Sequence, residues 1–177
     1  MLVLVVGPSG AGKDTLLTIA RTALADDARF RFVRRVITRP AEAGGEDHEP
    51  VSDTEFAARN FALSWEAHGL RYGIPADVAD DIARGIVVVA NVSRSIIAEA
   101  ATRFPVRVIE VTAPAQVLAT RLSARRRESA ADVAQRLARR IRLPHGIELA
   151  TVVNDSFPEA GAEQLLGHLA RALRGFG

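Results

Sequence analysis

Apolar runs recur along the chain with helix-patterned, polar-flanked stretches between them. Residues 2–6 (L-V-L-V-V) and 86–90 (I-V-V-V-A) are apolar throughout, as strands buried on both faces of a parallel sheet are. Residues 30–37, 106–111 and 149–153 supply three further β-rich runs. After the first run, Leu16, Leu17, Ile19, Ala20 and Ala23 fall at helical spacing. Helices are also expected over 76–84, closed by Gly85, from Ser93 to about 102, from Pro114 to about 124, and over 130–141. Pro158 opens a last helix with Leu165, Leu166, Leu169 and Leu173 on one face. This alternation predicts an α/β fold: a five-stranded parallel sheet flanked by helices, in a single domain over 1–177.

Residues 39–75 break the rhythm as an insertion. Its first part is a polar loop with two glycines and flanking prolines. Ser52 and Glu55 then form a capping box for a helix over 53–60, and 61–75 alternates around His68-Gly69 as a hairpin would.

The chemistry concentrates between the first strand and the first helix. Gly7-Pro8-Ser9-Gly10-Ala11-Gly12-Lys13-Asp14-Thr15 matches the spacing G-x-x-x-x-G-K of a phosphate-binding loop (Walker A), with both required flanks present. Its glycines let successive backbone N–H groups turn toward one anion at the positive end of a helix. Of the 23 basic residues all but Lys13 are Arg, so a compact ammonium is kept at the one place where a nucleotide's outer phosphates would lie. These residues are the expected ATP-binding set. The position after the lysine, ordinarily a Ser or Thr whose hydroxyl holds Mg²⁺, is Asp14, followed by Thr15.

Composition narrows the alternatives. With 48% hydrophobic and 25% charged residues the chain can bury a sizeable core. Having no cysteine, it has no disulfide framework and no thiolate chemistry. No apolar run is long enough for a membrane span, and Met1 leads straight into a strand; a soluble cytoplasmic protein is expected. Eight arginines gather between 121 and 142 against Glu128 and Asp132. With few aromatics and no nucleic-acid module, that cluster is expected to meet a nucleotide's phosphates rather than nucleic acid.

The loop, Thr38-Arg39-Pro40, the stretch 45–56, Gly69-x-x-Tyr72-Gly73 and Val153-Asn154-Asp155 resemble the guanylate kinase group of P-loop kinases over nearly the whole chain. The resemblance implies a P-loop NTPase fold with an acceptor-binding insertion and an arginine-rich lid over about 125–142. It implies that Arg39 and Tyr72 hold the acceptor phosphate. Asn154 would lie by the nucleotide, and Lys13, Arg121, Arg125 and Arg136 would surround the transferring phosphoryl group.

Departures from that group carry the specificity. Its polar readers of the guanine base look replaced by Leu63, Ile74 and Ser93, its phosphate-binding tyrosine by His48, a second phosphate arginine by Glu42, and its strand-end acid by Asn91. This combination resembles the ribose 1,5-bisphosphate phosphokinases, which implies transfer from ATP onto the 1-phosphate of that sugar, within phosphonate breakdown. Arg39, His48, Tyr72 and Asn91 are the expected substrate residues. A phosphate acceptor is largely dianionic near neutral pH and needs no general base, only positive charge, which suits a chain rich in Arg with no obvious Asp-His base. A nucleoside monophosphate kinase and a non-catalytic binding module are the alternatives. For Mg²⁺ the expectation is Asp14, with Asn91 as a neutral second contact; the other possibility is that Asp14 caps the helix and Thr15 serves the metal.

Overall fold

The five strands that β-branched and aliphatic residues build lie parallel in the order β2-β7-β1-β8-β9. They are β1 (Leu2–Val6), β2 (Phe30–Phe32), β7 (Val87–Asn91), β8 (Val106–Thr112) and β9 (Leu149–Val153). The computed structural model describes residues 1–41, 46–123 and 143–175. Every side chain of β1 is fully buried, because the strand is central and both of its faces are covered.

Period-2 alternation splits β1 between two cores. Val3 and Val5 pack with α1 (Lys13–Ala23) and α6 (Pro158–Arg174), through Leu16, Ala20, Leu165 and Leu169. Leu2, Leu4 and Val6 face the other way, toward α3 (Val78–Ala83), α4 (Ile97–Arg103) and the hairpin. The helix α5 (Ala115–Ser123) follows β8, and its Leu118 joins the first core. No helix among the described residues is long and apolar enough to cross a membrane.

The expected second strand is not one strand. Only Phe30–Phe32 pairs with β7; after Val33, Arg34 and Arg35 the chain leaves that sheet, and Val36–Ile37 (β3) joins a second sheet of order β4-β3-β6-β5. β2 is a partly buried edge strand, and past it Arg34 and Arg35 pair with Asp47 and Glu46 of the insertion, so the chain turns toward the second sheet there. In the second sheet β5 (Phe61–Ala67) and β6 (Leu70–Pro75) form the predicted hairpin around His68-Gly69, while β4 (Glu49–Pro50) comes from the stretch expected to be loop. The capping box at Ser52 is present, with the Glu55 N–H donating to Ser52 Oγ and Glu55 Oε2 accepting from the Ser52 N–H, but α2 (Asp53–Ala57) is shorter than expected. Ser93 caps a short 3₁₀ turn, Arg94–Ile96, ahead of α4.

Candidate phosphate-transfer site

β1 ends at the point where the chain crosses to one side for β2 and to the other for β8, so the carboxyl end of β1 opens on a crevice. The loop fills that place. Gly7 has φ 148° and Gly12 φ 86°, and a Cβ added at either would lie 2.1 Å from the Val111 carbonyl oxygen or 2.4 Å from Asn154 Nδ2. Glycine is required at both by conformation and by close approach. Gly12 is also the N-cap of α1 and supplies no side-chain cap, so the helix's first N–H groups are open to an anion.

Lys13 folds over the loop, its Nζ donating to the carbonyl oxygens of Gly7 (2.9 Å) and Pro8 (3.0 Å). Burial pushes its pKa down from 10.5 to about 8; Asp14 opposes the shift, and the guanidinium groups of Arg35 and Arg94 add to it. The side chain thus carries a proton held less firmly than an ordinary lysine's.

Behind the loop, Asn154 is buried and its Nδ2 donates to the Ala11 carbonyl at 2.8 Å. The Asn154 carbonyl accepts from Arg121 NH1 at 3.1 Å. Asn154, expected beside the nucleotide, thus holds the loop's backbone and links it to Arg121. Arg125, Arg136 and Glu42 lie outside the described residues, as does the helix expected over 130–141.

Asp14 and Asn91, the two positions that depart from the usual metal-site pattern, touch: Asn91 Nδ2 donates to Asp14 Oδ1 at 2.9 Å. Both, with Thr15, line a cleft of about 720 Å³ between α1, the ends of β2 and β7, and the insertion. Arg21, Arg35 and Glu46 line it too.

Of the four substrate residues expected from the sequence, only Asn91 is on this cleft's wall. His48 is 4% exposed, with Nε2 3.0 Å from the Arg39 carbonyl oxygen and Nδ1 3.3 Å from Arg39 NH2. Nδ1 also lies 3.0 Å from the Glu46 carbonyl oxygen, so the ring ties Arg39 to the backbone at Glu46. The Arg39 Nε is buried with no hydrogen-bond partner among the described residues. Tyr72 is buried and stacks on Trp65, with ring centroids 5.3 Å apart and planes 6° apart.

Leu63 and Ile74, expected from the sequence to replace two base readers, are cross-strand partners in the hairpin and are buried with Val78 and Ile82. Ser93 is spent on its cap, accepting from the Ser95 N–H.

Sequence reasoning missed Arg35, Glu46, Arg94 and Glu110. Arg35 pairs with Glu46, and Arg94 NH2 donates to Glu110 Oε1 at 2.7 Å beside the loop's strand. The signal that could have found Arg35 is its place just past the carboxyl end of a parallel strand.

No family model matches the chain. It is 55% identical over 170 residues to a ribose 1,5-bisphosphate phosphokinase PhnN of Acidiphilium cryptum, covering 96% of this chain and 92% of that one. It is 46% identical to the protein of the same name from Brucella melitensis, over 94% and 90% of the two chains. A bifunctional ribose 1,5-bisphosphokinase-thymidine phosphorylase of Azorhizobium caulinodans is 48% identical over 93% of this chain, which matches 25% of that longer protein. Among solved structures, a guanylate kinase from Anaplasma phagocytophilum superposes with a TM-score of 0.64 at 17% identity, over 97% of this chain and 84% of that one. That likeness establishes the P-loop NTPase fold.

Proposed function

Because this chain belongs to the family of ribose 1,5-bisphosphate phosphokinases, we propose that it moves the γ-phosphoryl group of ATP onto the 1-phosphate of ribose 1,5-bisphosphate, giving 5-phosphoribosyl 1-diphosphate, a step of phosphonate breakdown. The observation that carries the acceptor is the buried Leu63–Ile74 pair. A hairpin that spends both positions on the core has no polar group there to read a base, and buried polar partners are what give a site large discrimination between bases.

The chain's own groups supply positioning and charge. The loop's backbone N–H groups and Lys13 hold the donor phosphates, Asn154 keeps the loop in shape from behind, and Arg121 stands beside it. Arg39, anchored by His48, and Tyr72 serve the acceptor side, with Asn91 at the cleft wall. The attacking phosphate oxygen is already ionised, so no side chain has to remove a proton.

The donor set at the cleft is a carboxylate, a hydroxyl and an amide oxygen, all hard ligands that fit Mg²⁺, and Asp14 with Thr15 would hold the ion while Asn91 orients Asp14. An ion held there would neutralise charge on the donor's phosphates. The test is a panel with ATP and ribose 1,5-bisphosphate, GMP, AMP or dTMP. The sugar should be converted to its 1-diphosphate with little turnover of GMP; comparable efficiency on GMP overturns the acceptor assignment in favour of a nucleoside monophosphate kinase.

A further inference from the structure

An acceptor with phosphates at both ends of a sugar cannot place both on one cation, because the sugar holds them apart. The loop and Lys13 explain the end where transfer occurs. The other end needs its own donor on the cleft wall.

Arg35 has the required properties. It leaves the end of β2 into the cleft that Asp14, Thr15 and Asn91 also line. Its side chain is 11% exposed, and Nε donates to Glu46 Oε1 at 2.7 Å while NH2 donates to Glu46 Oε2. The guanidinium carbon sits 5.1 Å from the Tyr72 ring centroid and 5.8 Å from that of Trp65. A carboxylate along one edge and an aromatic surface below fix the fork's direction, and the Glu46 contacts leave NH1 for another acceptor. Arg21, the other cation on this wall, is half exposed and bonded to an exposed Asp47, so nothing holds it in comparable order.

We propose that Arg35, oriented by Glu46, grips the acceptor phosphate that does not receive the transferred group, and so selects a doubly phosphorylated sugar over a singly phosphorylated one. This rests on the phosphokinase reading of the site. It assigns Arg35 to substrate binding and Glu46 to positioning.

The readout is the ratio of kcat/KM for ribose 1,5-bisphosphate to that for ribose 1-phosphate, in wild type, Arg35→Gln, Arg35→Lys and Glu46→Gln. Any loss of folded enzyme scales both values and cancels in the ratio. Removing a charged hydrogen bond to the distal phosphate should lower the ratio by about 10²-fold in Arg35→Gln, carried by the KM of the bisphosphate. Arg35→Lys keeps the charge without the fork and should fall between that and wild type, and Glu46→Gln should lower the ratio by less than Arg35→Gln. If wild type is active on the bisphosphate and the ratio is unchanged in both Arg35 variants, the proposal is overturned and the family reading stands. A wild-type protein that phosphorylates neither sugar overturns both.

Discussion

The loop between β1 and α1 and the insertion from β3 to β6 both carry groups suited to an anion, by different means. The loop does so with backbone: its N–H groups, two glycines that no other residue can replace, and a lysine resting on two carbonyl oxygens, all backed by the fully buried β1. The insertion and its border with the main sheet do so with side-chain pairs. Arg35 meets Glu46, Arg21 and Arg34 share Asp47, Arg59 meets Glu49, and the Arg71 guanidinium lies 4.6 Å from the Phe56 ring centroid. A backbone cradle tolerates few sequences and is therefore recognisable as a motif. A lattice of guanidinium and carboxylate groups can exchange members while keeping its charge, so it is free to be retuned for a new acceptor and correspondingly hard to read.

Arg121 tests the loop side most severely. Arg121→Ala should lower kcat by about 10²-fold with the fold intact, the scale of losing one donor to transition-state charge. Unchanged kcat with a lower Tm would make its bond to the Asn154 carbonyl the whole of its role.

The lysine gives the loop a pH dependence of its own. Its folded pKa of about 8 is below the ordinary 10.5, so the free enzyme loses the ammonium as pH rises through about 8, and kcat/KM for ATP should fall by about tenfold per unit beyond it. Bound phosphates favour the charged form, so the limb in kcat should lie at higher pH. For stability the sign is reversed: without nucleotide, the cost of burying the charge is present in full below about 8 and is relieved between about 8 and 10.5, where the unfolded chain binds more protons. A pH profile for ATP with no alkaline limb in that region would show that Lys13's charge is dispensable.

Asp14 stands where the two regions meet. In Asp14→Asn the Mg²⁺ concentration for half-maximal rate should rise by about tenfold at fixed ATP, the lower range for loss of a group that binds or orients a metal ligand. If Asp14→Asn and Asp14→Ser both keep the wild-type Mg²⁺ dependence while Thr15→Val shifts it, the hydroxyl alone serves the metal.

The smallest effect is expected at the exposed rim of the insertion. Asp47 and Arg21 are each about half exposed, and Asp47→Asn should cost roughly 0.5 kcal/mol or less in denaturant titrations, vanishing at high salt. A cost several times larger would mean that the rim pairs, and not only the buried Arg35–Glu46 pair, hold the insertion in place.

The loop was legible from residue order alone. An all-apolar run, glycines at Gly7 and Gly12, one lysine and a helical repeat are local signals, since each group acts through backbone within a few residues of it, and the structure keeps every one. Leu63 and Ile74 were legible as losses, and the hairpin's register turns them into a buried pair. The break after Phe32 was not legible, because F-R-F-V-R-R-V-I has strand character throughout and only the neighbouring strands decide which part pairs with which sheet.

The sequence by itself determined the class of the molecule and the place of the glycine-rich loop, because such a loop is a contiguous stretch whose geometry is written in glycines and a helix start. Tertiary structure alone decided the rest of the site: that Asn91 meets Asp14 across 77 positions of chain, that Asn154 holds the loop from 143 positions beyond Ala11, and that Arg35 is locked between Glu46 and two stacked rings. Contacts at such separation are set by strand order and side-chain direction, and neither is written in the spacing of the residues that make them.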